Sequence, residues 1–477
     1  MPASDTHFAE ASGSVAAVPR DGAAPFDERR ARLESATPVP DGRWTRLARL
    51  GTLASGVASG VVAEGARQLA QGKRPRLGDL LLTPANARRV ADQLARMRGA
   101  AMKVGQLLSM DAGDLLPPEF GEILARLRAD ARPMPMGQVV AALEANWGDG
   151  WDRHFSHFSF TPVAAASIGQ VHRARTRGGQ ALAVKIQYPG VRRSIDSDID
   201  NVATLLRMSG LLPQALDVAP LLDEAKRQLH AEADYLLEAA HLRRYGALLG
   251  DSPAFALPVP HAELTTREVL AMSYVDGAPI ESLVTAPQPE RDRVARLLFD
   301  LLFREIFLFR LIQTDPNFAN YRYDAAARRL ILLDFGATRA YPKALTEAYR
   351  RLIAAAIATD RPAMAEAAAA IGYFREGIRD RQRQAVIDLF LLACEPLRHV
   401  GEYDFGRTDL AARMRTAGLA LSTEKEAWHT PPADAIFLHR KLAGLYLLAA
   451  RLKARVDLRA LFGPHSLPGG PAPKRPG

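Results

Sequence analysis

Two stretches near the middle of the chain, QTDPNFANY (residues 313–321) and LILLDFG (residues 330–336), decide the fold class. The first contains Asp315 and Asn320, and the second is an apolar, strand-like run that ends at Asp334. Mg²⁺ is a hard ion that takes oxygen ligands and keeps some of its waters, so a carboxylate and an amide can hold it beside phosphates. The two stretches therefore predict a metal-assisted nucleotide site, with Asn320 and Asp334 as metal ligands.

The spacing of these residues carries more weight than any one of them. The catalytic loop of protein kinases, H-R-D-x-x-x-x-N, places its Asn five residues after its Asp, and an Asp-Phe-Gly motif follows. Asn320 stands five residues after Asp315, and residues 334–336 are Asp, Phe and Gly. Asp315 is then the group that orients or deprotonates the attacking hydroxyl or water, because phosphoryl transfer depends mainly on positioning and charge stabilisation. A lone Asp at a strand end would be only a turn former.

A phosphate loop and a phosphate-binding lysine should lie upstream, and candidates for both do. The segment AAASIGQV (residues 164–171) aligns with the kinase loop G-x-G-x-x-G-x-V, with alanine in place of its first two glycines, which predicts a stiffer loop. Lys185 follows fourteen residues after Val171, in the strand-like run LAVKIQY. The loop residues expected at the nucleotide are Ala164, Ala165, Ala166, Ser167 and Gly169.

A kinase lysine needs a carboxylate from the next helix to hold it in place. Apolar residues recur at helical spacing from Leu221 through Leu242, which predicts one helix over this stretch. Several acids lie on it. Glu238 is the best candidate for the partner of Lys185, with Glu232 second and Asp234 a further member of the site. Solvation at the surface is the alternative for the acids that do not pair.

Taken together, the motifs resemble those of the UbiB family of atypical kinases, also called AarF-domain or ADCK-type proteins. The resemblance rests on AAMKVGQLLS, SIGQVH, AEADY, QTDPNFANY and DFGATR, and it covers roughly residues 45 to 460. Many bacterial members read H-A-D-x-H-P-G-N in the catalytic loop, so the version in this chain looks like the mitochondrial coenzyme Q branch and its bacterial relatives. The resemblance implies that Lys103 and Gln106 lie on a helix that covers the site, with Lys103 near Glu232 and Asp234.

The resemblance also implies the architecture. We expect an α+β, bilobal protein-kinase-like fold with a small mixed N-lobe, a mainly helical C-lobe and an added N-terminal helical extension. Thr83 and Pro84 predict the start of the helix that carries Lys103. The expected boundaries are a disordered tail over 1–42, the helical extension over 43–145, the N-lobe over 146–275, the C-lobe over 276–463 and a loose tail over 464–477.

The A-P-E motif that protein kinases carry after Asp-Phe-Gly is missing from this chain, and its absence narrows the substrate class. Protein kinases carry an activation segment that ends in A-P-E and holds the peptide substrate. Here the chain passes from Asp334 through GATRAYPKAL directly into a helical pattern around Leu345 and Tyr349. A small-molecule acceptor, or ATP hydrolysis alone, is therefore favoured over protein phosphorylation.

Composition limits the partners. The single cysteine, Cys394, excludes an internal disulfide and a Cys-cluster zinc site. The net charge of +9 favours an anionic membrane surface over nucleic acid, because basic runs lack the aromatic interleaving of RNA-binding segments. Residues 50–63 are uncharged but shorter than the ~20 residues of a spanning helix. Their G-x-x-x-G spacing, Gly56 to Gly60, suits a membrane-peripheral or dimerising segment.

Two apolar segments near the C-lobe also bear on membrane contact. The run over 294–312 is interrupted by charges, among them Asp300, Arg304, Glu305 and Arg310, and leads into the catalytic loop, so it predicts a core helix and no spanning segment. The cationic, leucine-rich run from His439 could meet anionic lipid, but packing on the domain is the better interpretation. The start of the chain lacks the basic and apolar pattern of a secretory signal. With an Arg- and Ala-rich composition typical of GC-rich bacteria, the resemblance implies a location in the bacterial cytoplasm, peripheral to the inner membrane.

The motifs predict an atypical kinase or ATPase that binds ATP or ADP with Mg²⁺, and the resemblance implies that it supports ubiquinone biosynthesis. Its expected partners are the nucleotide, quinone-precursor lipids, an anionic membrane surface, and a second copy or a lipid-synthesis complex. Two alternatives stay open at this stage. One is a small-molecule phosphotransferase of kinase fold, and the other is a nucleotide-sensing scaffold for lipid synthesis that does not turn over.

Overall fold

The computed structural model describes positions 100, 101, 103 and 104 and the ranges 133–208, 219–374, 377–423 and 432–467. The predicted tail over 1–42, the segment 50–63 and nearly all of the helix predicted after Thr83 lie outside the described residues. The predicted tail over 464–477 falls outside them from residue 468. Its first residues belong instead to a 3₁₀ helix, Gly463–His465, because His465 is buried against the rings of Phe303 and Phe307.

Helices make up most of the described part of the chain, and strands are concentrated before residue 341. The α-helices are α1 (Met136–Trp147), α2 (Val191–Met208), α3 (Ala219–Glu232), α4 (Tyr235–Leu249), α5 (Gln288–Arg304), α6 (Lys343–Ala358), α7 (Arg361–Ile371), α8 (Asp380–Ala393), α9 (Glu395–Arg398), α10 (Leu410–Thr423), α11 (Ala433–Arg451) and α12 (Leu458–Phe462). The strands are β1 (Phe155–Phe158), β2 (Ala164–Ala165), β3 (Gly169–Thr176), β4 (Ala181–Gln187), β5 (Phe255–Ala256), β6 (Val269–Ser273), β7 (Ala278–Pro279), β8 (Leu311–Gln313), β9 (Tyr321–Asp324), β10 (Arg329–Leu332), β11 (Thr338–Ala340), β12 (Tyr403–Asp404) and β13 (Arg455–Val456).

The first sheet forms the small lobe and places Lys185. Its strands pair antiparallel in the order β1-β3-β4-β6, and β2 pairs with β3. Side chains alternate between the two faces of a strand, and Leu182, Val184 and Ile186 of β4 are fully buried against α1 and Trp151. Lys185 therefore lies on the opposite face, the one that α4 covers.

The predicted helix over 221–242 is two helices in the structure. α3 ends at Glu232 and α4 begins at Tyr235, with Asp234 between them. Asp234 has an extended backbone, and its side chain accepts hydrogen bonds from the amides of Leu236 and Leu237. Since an N-cap acid satisfies amides that lack a helical partner, Asp234 starts a new helix in the middle of an apolar periodic pattern.

The large lobe surrounds the catalytic loop with helices. The predicted core helix over 294–312 is α5 followed by a π-helical turn, Glu305–Phe309, and then β8. The buried side chains of α5 form a wide apolar face, and Arg296, Asp300 and Arg304 share the remaining, less buried face. Among the described residues, no helix combines the length and the apolar composition needed to span a bilayer.

Two short strand pairs frame the site itself. The loop 314–320 connects β8 to β9, and β10 leads directly to Asp334. β8 pairs antiparallel with β11, and β10 pairs with both β9 and β5. Because these strands are hydrogen-bonded on both sides of the motifs, the loop containing Asp315 and the residues of Asp-Phe-Gly are held at the same end of the lobe.

Candidate nucleotide and metal site

Lys185 is the centre of the upper part of the site. Its Nζ donates to both carboxylate oxygens of Glu238, at 3.1 and 2.9 Å, and lies 3.5 Å from Oδ2 of Asp334. The ring of Tyr235 lies beneath it, with its centroid 5.1 Å from Nζ. Burial by itself would lower the pKa of Lys185, but the charges of Asp334 and Glu238 outweigh it and raise the pKa well above its ordinary value. Lys185 is therefore a permanent cation.

Asp334 faces both the lysine and its own loop. Its Oδ1 accepts a hydrogen bond of 2.9 Å from the amide of Gly336. Burial would raise the pKa of Asp334, but the Lys185 charge and the Gly336 amide lower it, and Lys103 adds to the same effect. The side chain keeps 36% of its surface exposed. Asp334 is thus an ionised carboxylate that opens toward the cleft, as a metal ligand must be.

Phe335 anchors the Asp-Phe-Gly turn to α4. Its ring is buried, and its centroid is 4.5 Å from that of Tyr245. Its carbonyl oxygen lies 3.3 Å from Nδ1 of His241, also on α4. The helix that supplies Glu238 therefore fixes the loop that supplies Asp334.

Lys103 forms an ion pair with Glu232 at the end of α3, and it is 5% exposed. The structure does not bring it to Asp234, which caps α4 and pairs with Arg267 at 3.2 Å. The resemblance implied that Lys103 lies near both Glu232 and Asp234. The break between α3 and α4 separates the two acids, because the Asp234 side chain caps the start of α4. Gln106 lies outside the described residues.

The alanine loop is a tight β-turn between β2 and β3. The amide of Ala166 donates to the carbonyl of Gly169 at 2.8 Å, which closes the turn. A β-carbon on Gly169 would overlap the carbonyl of Ile186, so glycine is required there by the neighbouring strand. Ser167 Oγ lies 3.3 Å from Oε2 of Glu232. The tip of the loop therefore meets the same carboxylate that holds Lys103. Ala164 and Ala165 pair with Val171 and Gln170 in the hairpin and are exposed.

Asp315 and Asn320 are adjacent in the lower part of the site. Asn320 Nδ2 donates to Oδ2 of Asp315 at 2.9 Å. The other carboxylate oxygen, Oδ1, accepts a bond of 3.0 Å from Nη2 of Arg440 on α11. Asp315 is therefore held from both sides, and 25% of its side-chain surface stays open.

The sequence motifs gave no indication of the residues that support this loop from below. Lys441 is 2% exposed, and its Nζ lies 2.9 Å from Gln313 Oε1 and 2.7 Å from Tyr321 OH. Arg440 and Lys441 belong to the cationic run from His439, for which packing on the domain was favoured over lipid contact. The contacts agree with packing. The sequence shows only two adjacent cations in a leucine-rich run, and this pattern cannot predict a partner 120 residues away.

The donor set fits Mg²⁺. A carboxylate and an amide suit this ion, which usually takes one or two protein groups and completes its shell with phosphates and water. The amide nitrogen of Asn320 donates its hydrogen bond to Asp315, so the amide oxygen is available to a metal ion. No group of three or more His, Cys, Asp or Glu side chains suited to a metal occurs in the part of the chain that the structure describes. An ion here would depend on nucleotide phosphates as well as protein.

Comparisons with known proteins identify the family of the chain. Residues 126–368 match the family of ABC1 atypical kinase-like domains. The mitochondrial atypical kinase COQ8 of Saccharomyces cerevisiae is 37% identical over 91% of this chain and 87% of its own length. The mitochondrial atypical kinase COQ8B of Danio rerio is 37% identical over 89% of this chain and 68% of its own length. The structure of Rv3197 with erythromycin from Mycobacterium tuberculosis has a TM-score of 0.56 at 28% identity, covering 80% of this chain and 95% of that one.

These similarities confirm the predicted family resemblance and the kinase-like fold. They also correct one prediction. The location in the bacterial cytoplasm, peripheral to the inner membrane, is wrong on this comparison, because the relatives from yeast, zebrafish and rat are mitochondrial proteins. The expected location rested on composition and on the resemblance, and neither distinguishes a bacterial member of the family from a mitochondrial one.

Proposed function

The chain belongs to the family of ABC1 atypical kinase-like domains, and from this premise we propose that it is an atypical kinase or ATPase that uses Mg-nucleotide and supports ubiquinone biosynthesis. The observation that carries the proposal is the arrangement around Lys185. A buried strand lysine contacts Glu238 at 2.9 Å and stands 3.5 Å from the Asp334 carboxylate. This is the lysine, glutamate and aspartate set that a kinase needs in place before transfer.

Each residue has a role in this proposal. Lys185 contacts the nucleotide phosphates, and Glu238 holds the lysine in that position. Asn320 and Asp334 hold the metal, and Asp315 orients the attacking oxygen and accepts its proton. When bound, Mg²⁺ neutralises charge that develops on the phosphates. The protein contributes mainly fixed geometry, which is worth several orders of magnitude in such reactions.

The acceptor is proposed to be small. The Lys103 ion pair with Glu232 sits over the alanine loop, and Ser167 at the loop tip contacts the same carboxylate. A peptide would have to displace buried charges to enter from this side, which is costly. Water or a phenol of the quinone-precursor type needs much less space. Quinone-precursor lipids and an anionic membrane surface are the proposed partners, in keeping with the net charge of +9.

The test is a coupled ATPase assay with and without anionic liposomes and a quinone-precursor-like phenol. It compares the parent with Lys103→Ala and Asp334→Asn, and with Asp251→Asn as a matched control, since Asp251 is exposed and distant in sequence from every motif. We expect Mg-dependent hydrolysis in the parent and the control, and none in Asp334→Asn. Lys103→Ala should admit larger acceptors. An Asp334→Asn protein that binds Mg-nucleotide at parent affinity would remove the basis of the proposal.

The same assay separates the forms of the activity. A phosphorylated phenol among the products identifies a small-molecule phosphotransferase, whereas phosphate alone identifies an ATPase. Nucleotide binding without any turnover, in the presence of liposomes and phenol, would identify a non-catalytic scaffold.

A further inference from the structure

Helix α11 runs beneath the catalytic loop and meets it at three positions on one face. Arg440 donates to a carboxylate, Lys441 to a side-chain amide, and Gly444 lies where a β-carbon would overlap a proline ring. The loop partners are, in the same order, Asp315, Gln313 and Pro316. Helix α11 therefore supports the catalytic loop from below, although 125 residues separate Arg440 from Asp315.

The loop does not contain a cation of its own beside Asp315. Two positions after the aspartate stands Asn317, whose side-chain oxygen accepts from the amide of Ala319 at 3.1 Å. A carboxylate that works next to nucleotide phosphates meets like charge, and like charges at close range repel strongly where water is scarce. The only side-chain cation that contacts Asp315, among the described residues, comes from α11.

We propose that Arg440 is a positioning residue that fixes the carboxylate of Asp315 and, through it, the amide of Asn320. Arg440 occupies Oδ1 of Asp315 at 3.0 Å, and Asn320 Nδ2 occupies Oδ2 at 2.9 Å. With the carboxylate held in this plane, the Asn320 amide can turn only its oxygen toward a metal. The inference rests on the proposed Mg-nucleotide function.

The neighbouring lysine does not share this role. Lys441 is enclosed, with its Nζ bonded to Gln313 and Tyr321 and 3.9 Å from Glu305. Burial would lower the pKa of Lys441, but the Glu305 carboxylate and the Tyr321 hydroxyl raise it, so its charge is compensated inside the core. Arg440 is 13% exposed and reaches the cleft. A guanidinium fork suits a carboxylate in a fixed plane better than an ammonium does.

Steady-state kinetics of three variants test the proposal. Removal of a group that orients a metal ligand typically costs 10- to 100-fold in activity or metal affinity. In Arg440→Gln we expect kcat to fall by about 10- to 100-fold while the KM for ATP is unchanged. Arg440→Lys should keep a higher kcat than Arg440→Gln, because lysine retains the positive charge but lacks the planar guanidinium group. Arg451→Gln, an exposed arginine on the same helix, is the matched control and should keep parent kinetics.

A second measurement does not depend on turnover. Mn²⁺ binding to the ADP complex, followed by electron paramagnetic resonance, should weaken about tenfold in Arg440→Gln and stay at the parent value in Arg451→Gln. If the parent fails to hydrolyse ATP, the turnover in the proposed function is wrong, and this measurement still decides the role of Arg440.

The outcomes are distinct. Unchanged kcat and Mn²⁺ affinity in Arg440→Gln would overturn the proposal. So would an equal loss in Arg440→Gln and Arg440→Lys that is matched by a fall in Tm, because that result describes a residue needed only for folding. A selective loss at parent Tm, with partial recovery by lysine, supports it.

Discussion

The two walls of the cleft fix their functional groups in different ways. The upper wall, made by β4 and α4, holds Lys185 through Glu238, and the side chains are 10% and 1% exposed. The lower wall, made by the loop 314–320 and α11, holds Asp315 through Arg440, and the side chains are 13% and 25% exposed for Arg440 and Asp315. The upper pair is sealed in protein, whereas the lower pair opens to the cleft. The wall proposed to bind phosphate is thus the more enclosed one, and the wall proposed to exchange a proton and an acceptor keeps access to solvent.

The largest expected difference between the walls is chemical. Asp315→Asn keeps the shape of the side chain but removes the proposed base, and a positioned acid or base contributes about 10²–10⁴-fold. We expect kcat to fall by that factor with the ATP affinity retained, because the phosphate-binding upper wall is intact. Single-turnover ATP hydrolysis and a nucleotide-binding isotherm measure the two quantities. Loss of binding together with turnover would mean that the walls do not act separately.

The second prediction concerns the free energy of unfolding. Breaking a buried ion pair by removing one partner costs about 3–5 kcal/mol, because it leaves an uncompensated charge. Lys185 keeps Asp334 nearby at 3.5 Å, so we place Glu238→Gln at the low end, about 3 kcal/mol. Urea denaturation gives the value.

A matched control for this variant is the exposed pair between Arg361 and Asp388, whose side chains are 39% and 61% exposed. An exposed pair contributes about 0–1 kcal/mol, so Asp388→Asn should cost no more than that. Equal costs for Glu238→Gln and Asp388→Asn would show that the upper wall is not sealed.

The sequence motifs pointed to candidate residues of both walls, but not to the residue that supports the lower wall. The order of the motifs predicts four site residues, because phosphoryl transfer needs those groups at those spacings; they are Lys185, Asp315, Asn320 and Asp334. The role of Asp234 as an N-cap did not follow, since an acid inside an apolar periodic pattern looks like a solvated helix position. Arg440 did not follow either, because tertiary contacts between distant segments have no local pattern.

The third prediction uses pH to test how α11, which supports the lower wall, is packed. His439 on α11 lies 2.8 Å from Tyr373 OH, and its ring stacks on that of Tyr373. Burial lowers the pKa of His439 to about 4 from the ordinary 6.5. As the pH falls below 6.5 the unfolded chain binds a proton that the folded protein does not, so stability that is full above pH 6.5 is lost down to pH 4.

The shift corresponds to at most about 3 kcal/mol. His439→Gln should flatten the fall of unfolding free energy between pH 6.5 and pH 4. The remaining slope belongs to groups such as His465, whose pKa burial also lowers to about 4. Urea titrations at several pH values measure the slope. An unchanged slope in His439→Gln would mean that this helix is not packed as the contacts indicate.

The smallest effect tests the contact between α11 and the loop directly. A β-carbon on Gly444 would overlap the ring of Pro316, the residue after Asp315, so Gly444→Ala must push the helix and the loop apart. Overpacking costs about 1–3 kcal/mol, although alanine favours a helix over glycine by about 0.5–1 kcal/mol. Gly246→Ala on α4 is the control, because a β-carbon there meets open space and only the helix-favouring gain remains. We expect Gly246→Ala to raise Tm with kcat unchanged, and Gly444→Ala to lower both. If Gly444→Ala lowered Tm but left kcat at the parent value, the position of Asp315 would not depend on α11. The loop 314–320 alone would then determine the geometry of the lower wall.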